Sequence, residues 1–166
     1  MRAPIRKGHP RLNQKPDPYL TKEKFSDLEA KLVKMKSLRP RMADEVKRLA
    51  EMGDFSENAG YQLAKGRLRG LNQRIIDLEG YLKTAVIIEP DRNIASVQIG
   101  SKVTVERSGR LNLYTILGST ESDPDRGVIS HLSPLGAGLL GHREGEELAI
   151  RLANGQEISL KIVRVE

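Results

Sequence analysis

Gly53-Asp54-Phe55-Ser56-Glu57-Asn58 separates two long runs of heptad pattern, and the runs mirror each other about it. In the first run Phe25, Leu28, Leu32, Met35, Met42, Val46 and Leu49 keep 3–4 spacing, with Arg39 at the one seam position that is not apolar. In the second, Tyr61, Ala64, Leu68, Leu71, Ile75, Leu78, Leu82 and Ala85 keep it without a break. Set antiparallel, Leu49 faces Tyr61, Val46 faces Ala64, and the register continues out to Phe25 facing Ala85. The numbers of every pair add to 110, which places the fold-back at residue 55. This pattern predicts an antiparallel coiled-coil hairpin with Asp54 to Glu57 at its tip. Arms of about 30 residues, rising about 1.5 Å each, put that tip roughly 45 Å from the base. A rod of this length ending in two carboxylates is suited to delivering them into another molecule.

The chain has 166 residues, enough for one or two domains with their own cores. A hydrophobic fraction of 38% with 4% aromatic residues and no Trp predicts modest cores of Leu, Ile and Val. The absence of Cys excludes a disulfide scaffold and thiolate metal sites and is compatible with a reducing cytosol. No apolar run is long enough to span a membrane and the N-terminus lacks an apolar signal core, so the expectation is a cytoplasmic protein with no membrane partner. The net charge of +6 is uneven. Residues 1–18 hold five Lys/Arg against one Asp, residues 19–96 fifteen against twelve, and residues 97–166 eight against nine. The basic excess therefore lies on the tail and hairpin, where a polyanion would be met, although mixed signs also suit a plain solvated surface.

Four segments follow. Residues 1–18 carry Pro, Gly and basic side chains without periodicity and read as a disordered or loosely packed extension. Residues 19–89 form the hairpin, with Thr21 as N-cap of the first helix. Pro40 predicts a kink rather than a helix end, because the pattern resumes in phase at Met42. Gly60, Gly66, Gly70 and Gly80 fall in the second helix but off its seam. Residues 90–96 read as a linker, and residues 97–166 change to strand language. Ser108-Gly109 and Asn154-Gly155 mark two β-hairpins, the second turn having two residues that tolerate positive φ. Between them Ser133-Pro134 opens a short helix that stops near Gly141. The fold class is α+β: a helical hairpin followed by a small antiparallel sheet with one helix.

Chemistry concentrates at the tip. Asp54 and Glu57 have the spacing of a helix capping box, and also suit Mg2+, which takes one or two protein carboxylates and keeps several waters. Two carboxylates alone hold Mg2+ weakly, so such a tip would act by completing a site built elsewhere. Phe55 between them has no core to enter and is placed for a partner. Lys65, Arg67, Arg69 and Arg74 on the second arm read either as a solvated flank or, taken as a group, as a stripe that tracks phosphates. His9, His131 and His142 have no metal-ligand spacing and read as ordinary residues. Gly136-Ala137-Gly138 lacks the context of a phosphate loop and reads as loose helix packing.

Gly53 to Tyr61 closely resembles the tip motif of the bacterial Gre transcript-cleavage factors, GreA and GreB. Arg39-Pro40 resembles their Arg-Pro in the first helix. Ser133-Pro134-Leu135, with Leu139-Leu140-Gly141 and Gly145-Glu146, is similar to the signature of their FKBP-like C-terminal domain. The match runs from about Leu20 to the C-terminus, and Lys65 to Arg69 leans toward the more basic GreB type. Phe55 stands where Leu is usual, Gly60 stands where an acidic residue is common, and residues 1–18 are extra.

The resemblance implies a monomeric transcription elongation factor, not an enzyme by itself, whose partner is RNA polymerase. The globular domain docks at the mouth of the polymerase secondary channel, with Ser133 and Pro134 among its contacts, and the hairpin enters the channel. Asp54 and Glu57 then help hold Mg2+ shared with the polymerase active site, and Ser56 orients the tip and the attacking water. The 3′ end of backtracked RNA is hydrolysed, with Lys65, Arg67, Arg69 and Arg74 holding the extruded RNA. DNA is a further nucleic-acid candidate. Two other readings compete: a channel-binding inhibitor of the same shape, which retention of both carboxylates argues against, and an FKBP-like prolyl isomerase. The latter needs an aromatic-lined pocket, and Tyr114 is the only aromatic residue after position 96.

Overall fold

A computed structural model describes residues 16–52, 59–91 and 95–166. Strand β1 (Tyr19–Leu20) leads into helix α1 (Lys22–Glu51), and α2 (Ala59–Thr84) returns to strand β2 (Val86–Ile87). Along α1 the seven apolar seam residues are shielded while Arg39 is exposed; along α2 Ala64, Leu71 and Ile75 are buried and the other seam residues half-buried. The seam repeats every 3.5 residues, which keeps one stripe of each helix on its partner. Helix α1 passes through Pro40 without ending. A proline has no N–H to give the carbonyl four residues back, and Pro40 takes that loss on an exposed flank.

The base of the hairpin is closed by a short parallel ladder, with Tyr19 opposite Val86 and Leu20 opposite Ile87. The amide of Val86 donates to the Pro18 carbonyl at 2.8 Å, and that of Ile88 to the Leu20 carbonyl at 2.8 Å. Leu20 is wholly enclosed. The segment read as an extension therefore ends earlier than residue 18. Asp17 has only 4% of its side chain exposed, and Pro18 belongs to the ladder.

The C-terminal half is a five-stranded sheet in the order β5-β4-β3-β7-β6. Its strands are β3 (Lys102–Arg107), β4 (Arg110–Leu117), β5 (Val128–Ser130), β6 (Glu147–Arg151) and β7 (Glu157–Val165). Both expected hairpins are present, as antiparallel β3/β4 and β6/β7 ladders, and β3 also pairs antiparallel with β7. Ser108 and Gly109 both take positive φ, 51° and 75°, as a two-residue hairpin turn requires. In the second hairpin only Gly155 does, at 83°; the Leu152 amide bonds the Gln156 carbonyl, giving a longer loop with one left-handed residue. The sheet is not purely antiparallel. Strand β5 lies parallel to β4, reached through two 3-10 turns at Ser119–Glu121 and Pro124–Arg126.

Helix α3 (Pro134–Leu139) covers one face of the sheet. The Ser133 hydroxyl accepts from the Gly136 amide at 3.0 Å, and Gly141, at φ 82°, follows the helix end. Gly136-Ala137-Gly138 is closely packed rather than loose. A Cβ on Gly138 would meet Ile150 Cδ1 at 2.8 Å, and one on Gly136 would collide with the Ser130 carbonyl oxygen. Val103, Val105, Ile116, Leu139 and Ile162 form the centre of the core.

Candidate functional site

The sequence points to the hairpin end. Asp54, Phe55, Ser56 and Glu57 lie outside the described residues, so the structure carries no geometry for them. It does place both helices on either side of the fold-back: α1 ends at Glu51, with Met52 72% exposed, and α2 begins at Ala59. Among the described residues no three His, Asp or Glu side chains converge on a point where a metal could sit.

Lys65, Arg67, Arg69 and Arg74 on α2 are all exposed but do not form one stripe. At about 100° per residue, Lys65 and Arg69 point within about 40° of each other, and Arg67 and Arg74 within about 20°, but the two pairs diverge by roughly 140–180°. They flank the seam on opposite sides. Lys65 Nζ lies 5.5 Å from the Tyr61 ring centroid, over its face. Arg67 and Arg74 instead border a groove of about 560 Å³ between the helices, with Leu38, Leu63, Gly66 and Gly70. The side chains of Leu38 and Leu63 are half exposed there, and a Cβ on either glycine would meet nothing within 4 Å. The groove thus joins two guanidinium groups to an open apolar floor. On the other flank Lys36 Nζ pairs with Glu79 Oε1 at 2.6 Å, and that hydrogen bond holds the Glu79 carboxyl below its usual range.

Ser133 and Pro134 divide in role. The Ser133 hydroxyl accepts from Gly136 and donates to the Ser130 carbonyl at 2.7 Å, so its bonding capacity serves the helix cap. Pro134 and the neighbouring Leu132, 67% exposed, form the surface beside it. Tyr114, the aromatic residue an isomerase pocket would need, is half-buried against the sheet core. His142 Nδ1 bonds Glu146 Oε2 at 2.6 Å in a surface turn, and this bond is the main reason the Glu146 carboxyl is held low.

A second polar cluster joins the hairpin base to the sheet domain. Asp17 Oδ2 accepts from the Ser119 amide at 2.6 Å and the Ser119 hydroxyl at 2.8 Å, while Oδ1 accepts from the Tyr19 amide at 3.2 Å. His131 Nδ1 lies 3.4 Å from Asp17 Oδ2, and its ring stands edge-on to Tyr19 at 5.2 Å. Burial alone would raise the Asp17 carboxyl; the Ser119 amide and hydroxyl and the Tyr19 amide, with the charge of His131, outweigh it and hold the group below 3.8. Sequence reading missed this cluster. Its partners stand about a hundred residues apart, and no local periodicity marks them.

Known proteins resemble most of the chain. Residues 18–87 match the family model described as transcription elongation factor, N-terminal, and residues 92–166 match the one described as transcription elongation factor, GreA/GreB, C-term. The chain belongs to the GreA/GreB family. A transcription elongation factor GreA of Macrococcus caseolyticus is 39% identical over 149 residues, covering 88% of this chain and 94% of its own. One from Staphylococcus saprophyticus is 40% identical over 157 residues, covering 93% and 99%. Both carry the GreA name, against the lean of Lys65 to Arg69 toward GreB. The crystal structure of GreA factor homolog 1 of Thermus thermophilus aligns over 89% of this chain and 97% of its own at 28% identity. Its TM-score is 0.40. The GreA/GreB assignment accounts for the hairpin and the sheet domain together, since the two models meet at the linker.

Proposed function

We propose that the chain acts on RNA polymerase as a transcript-cleavage factor, inserting the hairpin into the secondary channel to rescue backtracked complexes. One observation carries this reading: a shielded two-helix seam leads from a folded base to the connecting residues, whose sequence includes both Asp54 and Glu57, in a chain that is GreA/GreB over nearly its whole length. The donor set fits Mg2+, which favours hard oxygen ligands and one or two carboxylates. When bound between factor and polymerase, Mg2+ supplies Lewis-acid activation of water and neutralises charge at the scissile phosphate. Asp54 and Glu57 complete that site, Ser56 orients the attacking water, and Phe55 seats the tip against the polymerase. Arg67 and Arg74 hold the extruded 3′ segment of RNA. The factor thus contributes side chains to the active site of another protein and has no reaction of its own. Among its described residues no helix is long and apolar enough to cross a membrane.

The test is a stalled, backtracked elongation complex to which the factor is added. Short 3′ RNA fragments should appear, and Asp54→Asn or Glu57→Gln should remove most of them while binding to the polymerase persists. Helix capping should weaken by no more than about 1–2 kcal/mol. Cleavage by both variants at the wild-type rate would reduce the two carboxylates to a capping box.

A further inference from the structure

The polar cluster at the hairpin base has a geometry that bears on the tip. The 3-10 turn at Ser119–Glu121 grips the chain at both sides of the Tyr19–Leu20 strand. Ahead of it, Asp17 takes both donors of Ser119. Behind it, the Thr21 amide donates to Glu121 Oε2 at 2.8 Å and the Thr21 hydroxyl to Glu121 Oε1 at 2.6 Å. Thr21 is the N-cap of α1, its hydroxyl oxygen also accepting from the Lys24 amide at 3.2 Å. Glu121 therefore holds the residue from which the first arm starts. The second arm is tied to the same place, because the Tyr81 hydroxyl donates to the Asp17 carbonyl at 2.9 Å. Gly118 lets the strands approach this closely: a Cβ there would collide with the Tyr19 carbonyl oxygen.

A rod clamped at one end is a lever. Over an arm of about 45 Å, a rotation of about 5° at the base carries the tip about 4 Å. Catalytic groups tolerate much less, since a misplacement of about 1 Å can lower a rate by about 100-fold. Backbone pairing between β1 and β2 closes the hairpin on itself but does not aim it. Aiming requires contacts to the sheet domain, and the two carboxylates supply directional, charge-assisted ones.

We infer that Asp17 and Glu121 are positioning residues that set the angle of the hairpin on the sheet domain and thereby the place of its tip. The inference rests on the proposed cleavage role, but the clamp can be measured without polymerase. Asp17→Asn and Glu121→Gln keep volume while removing the charge. Each Asp17 oxygen accepts from a backbone amide, so the amide nitrogen of Asn must face an N–H donor in either orientation. At Glu121 the Thr21 hydroxyl can turn to accept from Gln, so that variant removes the charge assistance alone and is the milder of the two.

The chain has no cysteine, so Lys47→Cys on α1 and Leu111→Cys on β4, both at exposed positions, give a doubly spin-labelled protein with no competing thiol. Pulsed EPR distance distributions are compared for the parent, the double variant, and Glu121→Gln alone, which leaves the Asp17 contacts in place. Far-UV circular dichroism checks that helix content is kept. The distribution should broaden at least twofold in the double variant and less in the single one. With unlabelled protein on a backtracked complex, the cleavage rate at saturating factor should fall about tenfold or more, while the half-saturating concentration changes little. Unchanged distance distributions overturn the clamp. Broadened distributions with full cleavage overturn its role in placing the tip. If the wild-type factor produces no cleavage, the proposed function fails instead, and the distance measurement still decides the clamp.

Discussion

The division of the basic residues between two flanks can be tested by paired charge removal. Arg67→Ala/Arg74→Ala and Lys65→Ala/Arg69→Ala each remove two positive charges from α2, so their effect on net charge is identical. Only the first pair borders the groove with Leu38, Leu63, Gly66 and Gly70, where a base can lie on apolar surface while a phosphate meets a guanidinium. Arg67 and Arg74 are seven residues apart, about 10 Å along the helix axis, so they reach different phosphates. Each phosphate contact on a single strand adds about 0.7 to the salt slope, so the groove pair should contribute about 1.4. Between about 50 and 200 mM salt, a fourfold change, this amounts to about a sevenfold loss of the wild-type advantage over the groove variant. The assay is half-saturation of cleavage, or cross-linking to the extruded RNA, on a complex with a long backtrack, titrated at both salt concentrations. The Lys65/Arg69 variant should keep the wild-type slope. Equal slopes for the two variants, or a change confined to the Lys65/Arg69 pair, would refute the assignment of RNA to the groove.

Three further outcomes are expected. Leu20→Ala, at a wholly enclosed side chain of the hairpin base, should lower stability by about 2–5 kcal/mol in chemical denaturation, whereas an alanine at exposed Leu63 should cost far less. Asp17 has a folded-state carboxyl held below its ordinary 3.8, so its contribution to stability is present above that pH and is lost as pH falls through the lower folded value. The stability difference between wild type and Asp17→Asn should therefore close as pH falls below about 4; a difference unchanged by acid would assign it to another group. Deleting residues 1–15, which spares Asp17, removes five basic residues and should slow association with polymerase at low ionic strength while leaving cleavage at saturating factor unchanged. Identical association rates for the two proteins would leave the tail without a steering role.

What the amino-acid sequence determined by itself was everything that repeats over short range. The heptad seam from Phe25 to Ala85 specified the two helices and the side of each that is shielded, because helical periodicity is a property of neighbouring residues. Thr21, Ser133 and Ser108-Gly109 announced a cap, a second cap and a turn for the same reason: each acts on backbone within three residues. The tip motif, also local, carried the family. Tertiary structure decided what depends on residues far apart in the chain. Helical spacing alone separates Lys65 and Arg69 from Arg67 and Arg74, but only the packed hairpin showed that Leu38 and Gly66 complete a groove on one side. The parallel β4/β5 pair was hidden because a crossover, unlike a hairpin, leaves no turn signature. Asp17 gave no sign at all between two prolines. Its environment is made by Ser119, about a hundred residues later, which only the folded chain brings within hydrogen-bonding reach.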